Sequence, residues 1–270
     1  MNKIYALLIG TGILMAASCT QENQIQSDEV SYLRLNTEIC TRAIVESSSF
    51  NTGDQIGVFV RNADGTDYVS GSYNILATYD GNWIFENEVP LSDAPATVYA
   101  YYPYNTGENL EDNLLWFDLN KEGGADDYLV ATTTETFDAS SPVANLQFKH
   151  VLARVTFSIT CGAGNKYTLS SVVLRSPSHN LFHRGYIDLR TGRASQSLYN
   201  GDLGDIKVNT DAVVYETEPV IVEMLVYPLA TEAAGDLTLE LTMDGIPYIV
   251  SMPAVNWEAG RQYTYPVNFK

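Results

Sequence analysis

The chain has 270 residues and a mass of 29.8 kDa, room for one large domain or two of ordinary size. Its 33 acidic residues outnumber 15 basic ones for a net charge of -18, which argues against nucleic acid and anionic lipid surfaces as partners, since both are held by clustered Lys and Arg. Three Cys and three His argue against a dense disulfide scaffold and a multi-ligand zinc module, while 45% apolar residues suffice for a real core.

The chain opens on Met1-Asn2-Lys3 and an apolar run from Ile4 to Ala17. At about 14 residues the run is short for a bilayer span and suits a signal-peptide core. It leads into Ala16-Ala17-Ser18-Cys19, which resembles a bacterial lipobox with Ala16 where Leu is usual. Residues 1–18 are therefore expected to be a lipoprotein signal peptide and Cys19 the lipidation site, acyl chains such as palmitate anchoring the chain to a membrane without spanning it. An ordinary secretory signal followed by a chance Cys is the plainer alternative. Residues 19–29 are polar and free of aromatics, as a flexible tether should be.

The segment Leu33–Cys40 alternates: Leu33, Leu35, Thr37 and Ile39 point one way, and Arg34, Asn36, Glu38 and Cys40 the other. Such a strand fits a sandwich edge with its Leu/Ile face buried. Its removal would expose an apolar groove and unpaired backbone groups, a receptor for an added strand. A permanent first strand accounts for the alternation equally well. Further strands are expected over residues 55–60, 96–102, 128–132, 153–159, 220–226 and 237–243, each rich in β-branched and aromatic residues. Turn sequences separate them, among them Asn62-Ala63-Asp64-Gly65, Asp80-Gly81-Asn82, Lys121-Glu122-Gly123-Gly124, Gly162-Ala163-Gly164-Asn165 and Asp244-Gly245. Helical spacing is almost absent, so an all-β fold is expected, with more strands than one small sandwich holds. The polar stretch Asp138-Ala139-Ser140-Ser141-Pro142 suggests a break, giving one β-sandwich over residues 30–145 and a second over residues 146–270. If Cys19 is lipidated, Cys40 and Cys161 are left either to pair in an oxidising compartment or to serve as small apolar strand residues. At the end, Tyr263, Tyr265, Val267 and Phe269 alternate with Thr264, Pro266, Asn268 and Lys270, as in a final strand or one donated to a neighbour. Pro266 lacks an N–H and so fits an edge or an extended donor better than a central strand.

No constellation announces chemistry. His179 and His183 have metal-ligand spacing but loop and strand surroundings, with no third ligand nearby. Asp126-Asp127 and Glu111-Asp112 read as solvated turns, and Gly201-Asp202-Leu203-Gly204-Asp205 is not an EF-hand loop. With no nucleophile motif, phosphate loop or zinc-protease motif, neither an enzyme nor a metal or other cofactor is expected. The Tyr99–Tyr104 cluster fits core and rim more readily than a sugar-stacking platform.

Several segments, in order, resemble the fimbrillin-like family of lipoprotein pilus subunits. They are Thr41-Arg42-Ala43, Phe50-Asn51-Thr52-Gly53-Asp54-Gln55-Ile56-Gly57-Val58-Phe59, Val98–Tyr104, Leu146–Val155, Gly185–Gly192 and Trp257–Tyr265. The resemblance implies two tandem transthyretin-like, Greek-key β-sandwiches. It also implies a tip, accessory or shaft subunit of an adhesive type V pilus at the cell surface. Such subunits reach the outer membrane as lipoproteins, are cut near the N-terminus by an Arg-specific protease, lose their first strand and accept a neighbour's. Carried onto this chain, the cut falls at Arg42, in Thr41-Arg42-Ala43 ahead of the polar Ser47-Ser48-Ser49. Arg34 is the competitor, but mid-strand placement would shield it; a merely solvated Arg42 stays open. The chain ends at Lys270, directly after its alternating run, which departs from expectation for a shaft subunit and leaves a tip, accessory or anchor role on at least an equal footing. The alternative is a surface lipoprotein that presents loop aromatics to glycans.

Overall fold

In the computed structural model, residues 30–40, 49–177, 181–196 and 204–270 are described; Cys19, Arg42 and His179 lie outside them. All regular elements among the described residues are β-strands, as alternation without helical spacing predicts.

The main sheet has seven strands in the order Arg34–Ile39, Val143–His150, Leu129–Thr132, Thr97–Tyr102, Gln55–Arg61, Ile75–Tyr79 and Trp83–Phe85. Its middle strands are apolar on both faces for a physical reason. Ile56, Val58, Val60, Val98, Ala100, Leu129 and Ala131 face a core built from residues between Leu33 and Phe148. Their neighbours Phe59, Tyr99, Tyr101, Tyr128 and Val130 enter a second core, shared with residues between Val151 and Trp257. A strand covered on both faces reads as a continuous apolar run rather than an alternating one, and Ile56–Val60 is such a run. The central strands thus form a wall between the two cores. Gly57 lies where the buried Tyr101 ring crosses the strand: a Cβ there would sit 2.2 Å from a ring carbon.

The later part of the chain forms a two-layer sandwich. One layer orders Val220–Val226, Ala153–Cys161 and Gln262–Phe269; the other orders Ile206–Val214, Tyr167–Arg175, Thr238–Met243 and Ile246–Ser251. Inward residues of both layers, such as Val155, Phe157, Val172, Leu174, Leu239 and Leu241, belong to one core. A further four-stranded sheet joins Leu110–Glu111 and Leu114–Asp118 to Arg184–Asp188 and Arg193–Gln196, so it draws on both halves of the chain. The core changes between Phe148 and Val151, near residue 145, but that residue itself lies inside the strand Val143–His150. Residues 138–142 form a tight turn in which Asp138 accepts hydrogen bonds from Ser140 and Ser141, holding its carboxyl below the usual range.

The two halves share one topological feature: each carries an outer strand that runs parallel to its neighbour. Arg34–Ile39 lies parallel to Val143–His150, and Gln262–Phe269 parallel to Ala153–Cys161.

Candidate functional site: the leading strand and its groove

The strand Arg34–Ile39 is the end strand of the main sheet, with a backbone ladder on one side only among the described residues. Its register sets Leu35 beside Ala144, Asn36 beside Asn145, Thr37 beside Leu146 and Ile39 beside Phe148. Leu33 is buried at 3% exposure, while Leu35 and Ile39 pack half-buried against the same core. The face predicted from alternation is therefore the face that is buried, and Arg34, Asn36 and Glu38 are exposed.

Hydrogen bonds divide the backbone of this strand by parity. The Arg34 N–H donates to Pro142 O at 2.8 Å and the Cys40 N–H to Phe148 O at 2.8 Å, so even-numbered residues turn their amides toward Val143–His150. Odd-numbered residues turn theirs the other way, as the Leu33 N–H does in donating to Val89 O at 2.9 Å. Just upstream, Ser31–Tyr32 pairs with Pro90–Leu91, so the leading segment touches two separate parts of the chain. On the outer face the Asn36 side-chain amide donates to Asn145 Oδ1 at 3.0 Å, a cross-strand pair that marks the register.

The far side of the leading strand faces Trp83–Phe85, the opposite end of the same sheet, so the sheet curls until its ends meet. Among the described residues a side-chain bond bridges them: the Trp83 indole N–H donates to Thr37 Oγ1 at 2.9 Å. Beside it a cavity of about 570 Å³ opens between Tyr32, Leu33 and Arg34 on one rim and Trp83, Ile84 and Phe85 on the other. At the Ile39 end the groove is aromatic. Phe50 meets Trp83 edge-on at 5.0 Å, Phe148 at 5.1 Å and Tyr102 at 5.5 Å between ring centres. The Tyr102 hydroxyl donates to Asp54 at 3.2 Å, and burial, with that carboxylate beside it, raises its pKa.

The final strand, Gln262–Phe269, is the mirror case. Tyr263, Tyr265, Val267 and Phe269 pack half-buried on the second core. Tyr265 Oη accepts from the Trp257 indole at 2.9 Å, Tyr263 Oη accepts from the Glu258 N–H at 3.0 Å, and Phe269 meets the Tyr167 and Tyr248 rings at 4.7 and 4.6 Å. In this structure the run is the end strand of the layer that holds Ala153–Cys161. Arg154 N–H donates to Arg261 O and Gly162 N–H to Phe269 O, so the odd-numbered residues face Ala153–Cys161 and Pro266 faces outward. The neighbouring edge repeats the device. Met252 exchanges backbone bonds on the side of Thr238–Met243, which leaves Pro247 on the open side of Ile246–Ser251. In both edges the missing proline N–H falls where another strand would have to pair.

Other expected residues find structural places. Cys40 and Cys161 are both free thiols; Cys161 is a buried strand residue whose Sγ contacts Asn165 O at 3.1 Å. Tyr99 and Tyr101 are buried, and burial pushes both hydroxyls above the ordinary tyrosine range, so they stay neutral donors. Asp127, expected to be solvated, instead receives Arg154 at 3.2 Å and contacts His150 Nδ1 at 3.0 Å. Among the described residues no three His, Cys, Asp or Glu side chains converge as metal ligands. Sequence reasoning missed Trp83 as the partner of Thr37, although a lone hydroxyl on an otherwise aliphatic strand face was a visible signal.

The profile of a family described as fimbrillin-like matches residues 41–270. No curated protein matches the chain. Among solved structures, a candidate cell adhesion protein of Bacteroides ovatus is similar at TM-score 0.65 and 18% identity, over 89% of this chain and 93% of that one. A candidate cell adhesion protein of Bacteroides uniformis is similar at TM-score 0.64 and 19% identity, over 88% and 94%. A fimbrial protein of Bacteroides vulgatus follows at TM-score 0.56 and 14% identity, over 88% and 95%. At these identities the likeness is one of fold.

Proposed function

Because the chain belongs to the fimbrillin-like family, we propose that it is a subunit of a cell-surface fimbria, delivered as a lipoprotein on Cys19 and matured by an Arg-specific protease at Arg42. Removal of the leading strand then lets a strand of another subunit take its place. The observation that carries this reading is the position of Arg34–Ile39: a sheet end with one ladder, joined to Phe50 through the segment that contains Arg42.

The energetics suit exchange. Leaving the groove uncovers Leu33, Leu35 and Ile39, roughly 1.5–3 kcal/mol for a fully buried aliphatic side chain and less for the two half-buried ones. An incoming strand recovers a similar amount, so the trade is near balance until a cut lets the displaced fragment diffuse away. An intact chain holds its own strand at high effective concentration, so the uncut protein stays closed.

The test is Arg42→Ala in the full-length protein. The wild type exposed to an Arg-specific protease loses its N-terminal fragment and enters heat-resistant polymers, whereas the variant remains longer and monomeric. Polymers formed equally by the variant would remove Arg42 from the mechanism. Mass spectrometry of surface-isolated protein adds the second check, an acylated Cys19 before processing and a new N-terminus at Ala43 after it.

A further inference from the structure

We infer that the groove selects its incoming strand by a hydroxyl at the Thr37 position, and that the strand comes from a different subunit and not from the end of another copy of this chain. The inference rests on the strand-exchange reading above.

When the leading strand leaves, two rails remain: Val143–His150, which held it by a backbone ladder, and Trp83–Phe85, which shares no ladder with it. Across the gap Trp83 presents an indole N–H to Thr37 Oγ1. Indole nitrogen is a donor only, so the bond can be remade only by an oxygen carried on the incoming strand. The oxygen must also sit on a short side chain, since Thr37 Oγ1 meets the indole at 2.9 Å from the position beside Leu146. Ser or Thr fits both conditions. A neighbouring position carries the second mark, the Asn36–Asn145 amide pair. The incoming strand is therefore an extended segment of the pattern apolar, amide, hydroxyl, any residue, apolar, in parallel register with Ala144–Phe148.

The chain's own final strand fails this pattern on two counts. Its inward residues are Tyr263, Tyr265, Val267 and Phe269, so every inward register puts a ring in the Thr slot or an aliphatic group that leaves the indole N–H without an acceptor. The parity also conflicts. In the groove, residues between the inward ones turn their amides to Val143–His150, as Arg34 and Cys40 do. In the final strand Pro266 is one of those residues, and it has no N–H to give.

The experiment uses full-length protein nicked by an Arg-specific protease, with the cut at Arg42 checked by mass, and fluorescent peptides followed by anisotropy. A peptide of residues 31–40 exchanges into the nicked protein, and its Thr37→Ser form does so comparably. The Thr37→Val peptide binds about 2- to 10-fold more weakly, the factor for one lost hydrogen bond at a half-buried donor. Trp83→Phe protein loses the discrimination and takes the Thr and Val peptides equally. A peptide of residues 262–270 stays out. If no peptide enters, strand exchange itself is wrong; if the 31–40 peptide enters but Thr37→Val binds within twofold of it, hydroxyl selection is overturned while exchange stands. Entry of the 262–270 peptide at matching affinity overturns the assignment to a different subunit.

Discussion

Leu33→Ala probes whether the leading strand opens as a unit. Leu33 is 3% exposed, in the first core, beside the 570 Å³ cavity. Leu-to-Ala changes in cores cost about 2–5 kcal/mol, and a site next to open space relaxes toward the lower end, about 2–3 kcal/mol. If the strand detaches from Val143–His150 without the rest of the sheet, that energy appears as faster amide exchange of Arg34, Asn36, Glu38 and Cys40, whose N–H groups point at that neighbour. At 1.4 kcal/mol per factor of ten, the acceleration is about 30- to 140-fold. Half-buried Leu35→Ala is expected to give about tenfold, since roughly half the burial is lost, and exposed Glu38→Ala almost nothing. Hydrogen exchange read by mass spectrometry on the 30–40 fragment measures all three. Equal acceleration in Leu129–Thr132 and Gln55–Arg61 would refute the reasoning, because the strand would then open only with the whole sheet.

Replacing Pro247 and Pro266 by Val restores an N–H to each outward edge of the second sandwich, beside an Ile249 that is 65% exposed. The double variant is expected to form larger species by light scattering, and a monomeric variant would show that the prolines do not guard those edges. Burial raises the pKa of Tyr99, Tyr101 and Tyr128. The folded state therefore holds these protons more tightly than the unfolded chain, so their contribution is complete below the ordinary tyrosine value of about 10 and is lost as pH climbs past it. Tyrosinate absorbance should rise first for exposed rings and then in a step that coincides with loss of β circular dichroism. A single smooth titration with the fold intact would contradict the burial.

The all-β class, the strand runs and the inward face of the leading segment were legible along the chain, because strand periodicity is local: Leu33, Leu35 and Ile39 alternate with Arg34, Asn36 and Glu38 whatever lies across from them. Pro266 was likewise readable as an edge residue, since a missing N–H is a covalent fact. Pairing was not readable. That Arg34–Ile39 runs parallel to Val143–His150, more than a hundred residues away, depends on which surfaces are buried together, and nothing in either segment encodes its partner. The same holds for the wall of strands that serves two cores, which no single segment announces. Trp83 and Thr37 lie at opposite ends of one sheet and become neighbours only because the sheet curls. Sequence thus determined what each strand shows to its two sides, and tertiary structure decided who meets those sides, since a strand's alternation is set by its own backbone while its neighbour is set by the packing of the whole.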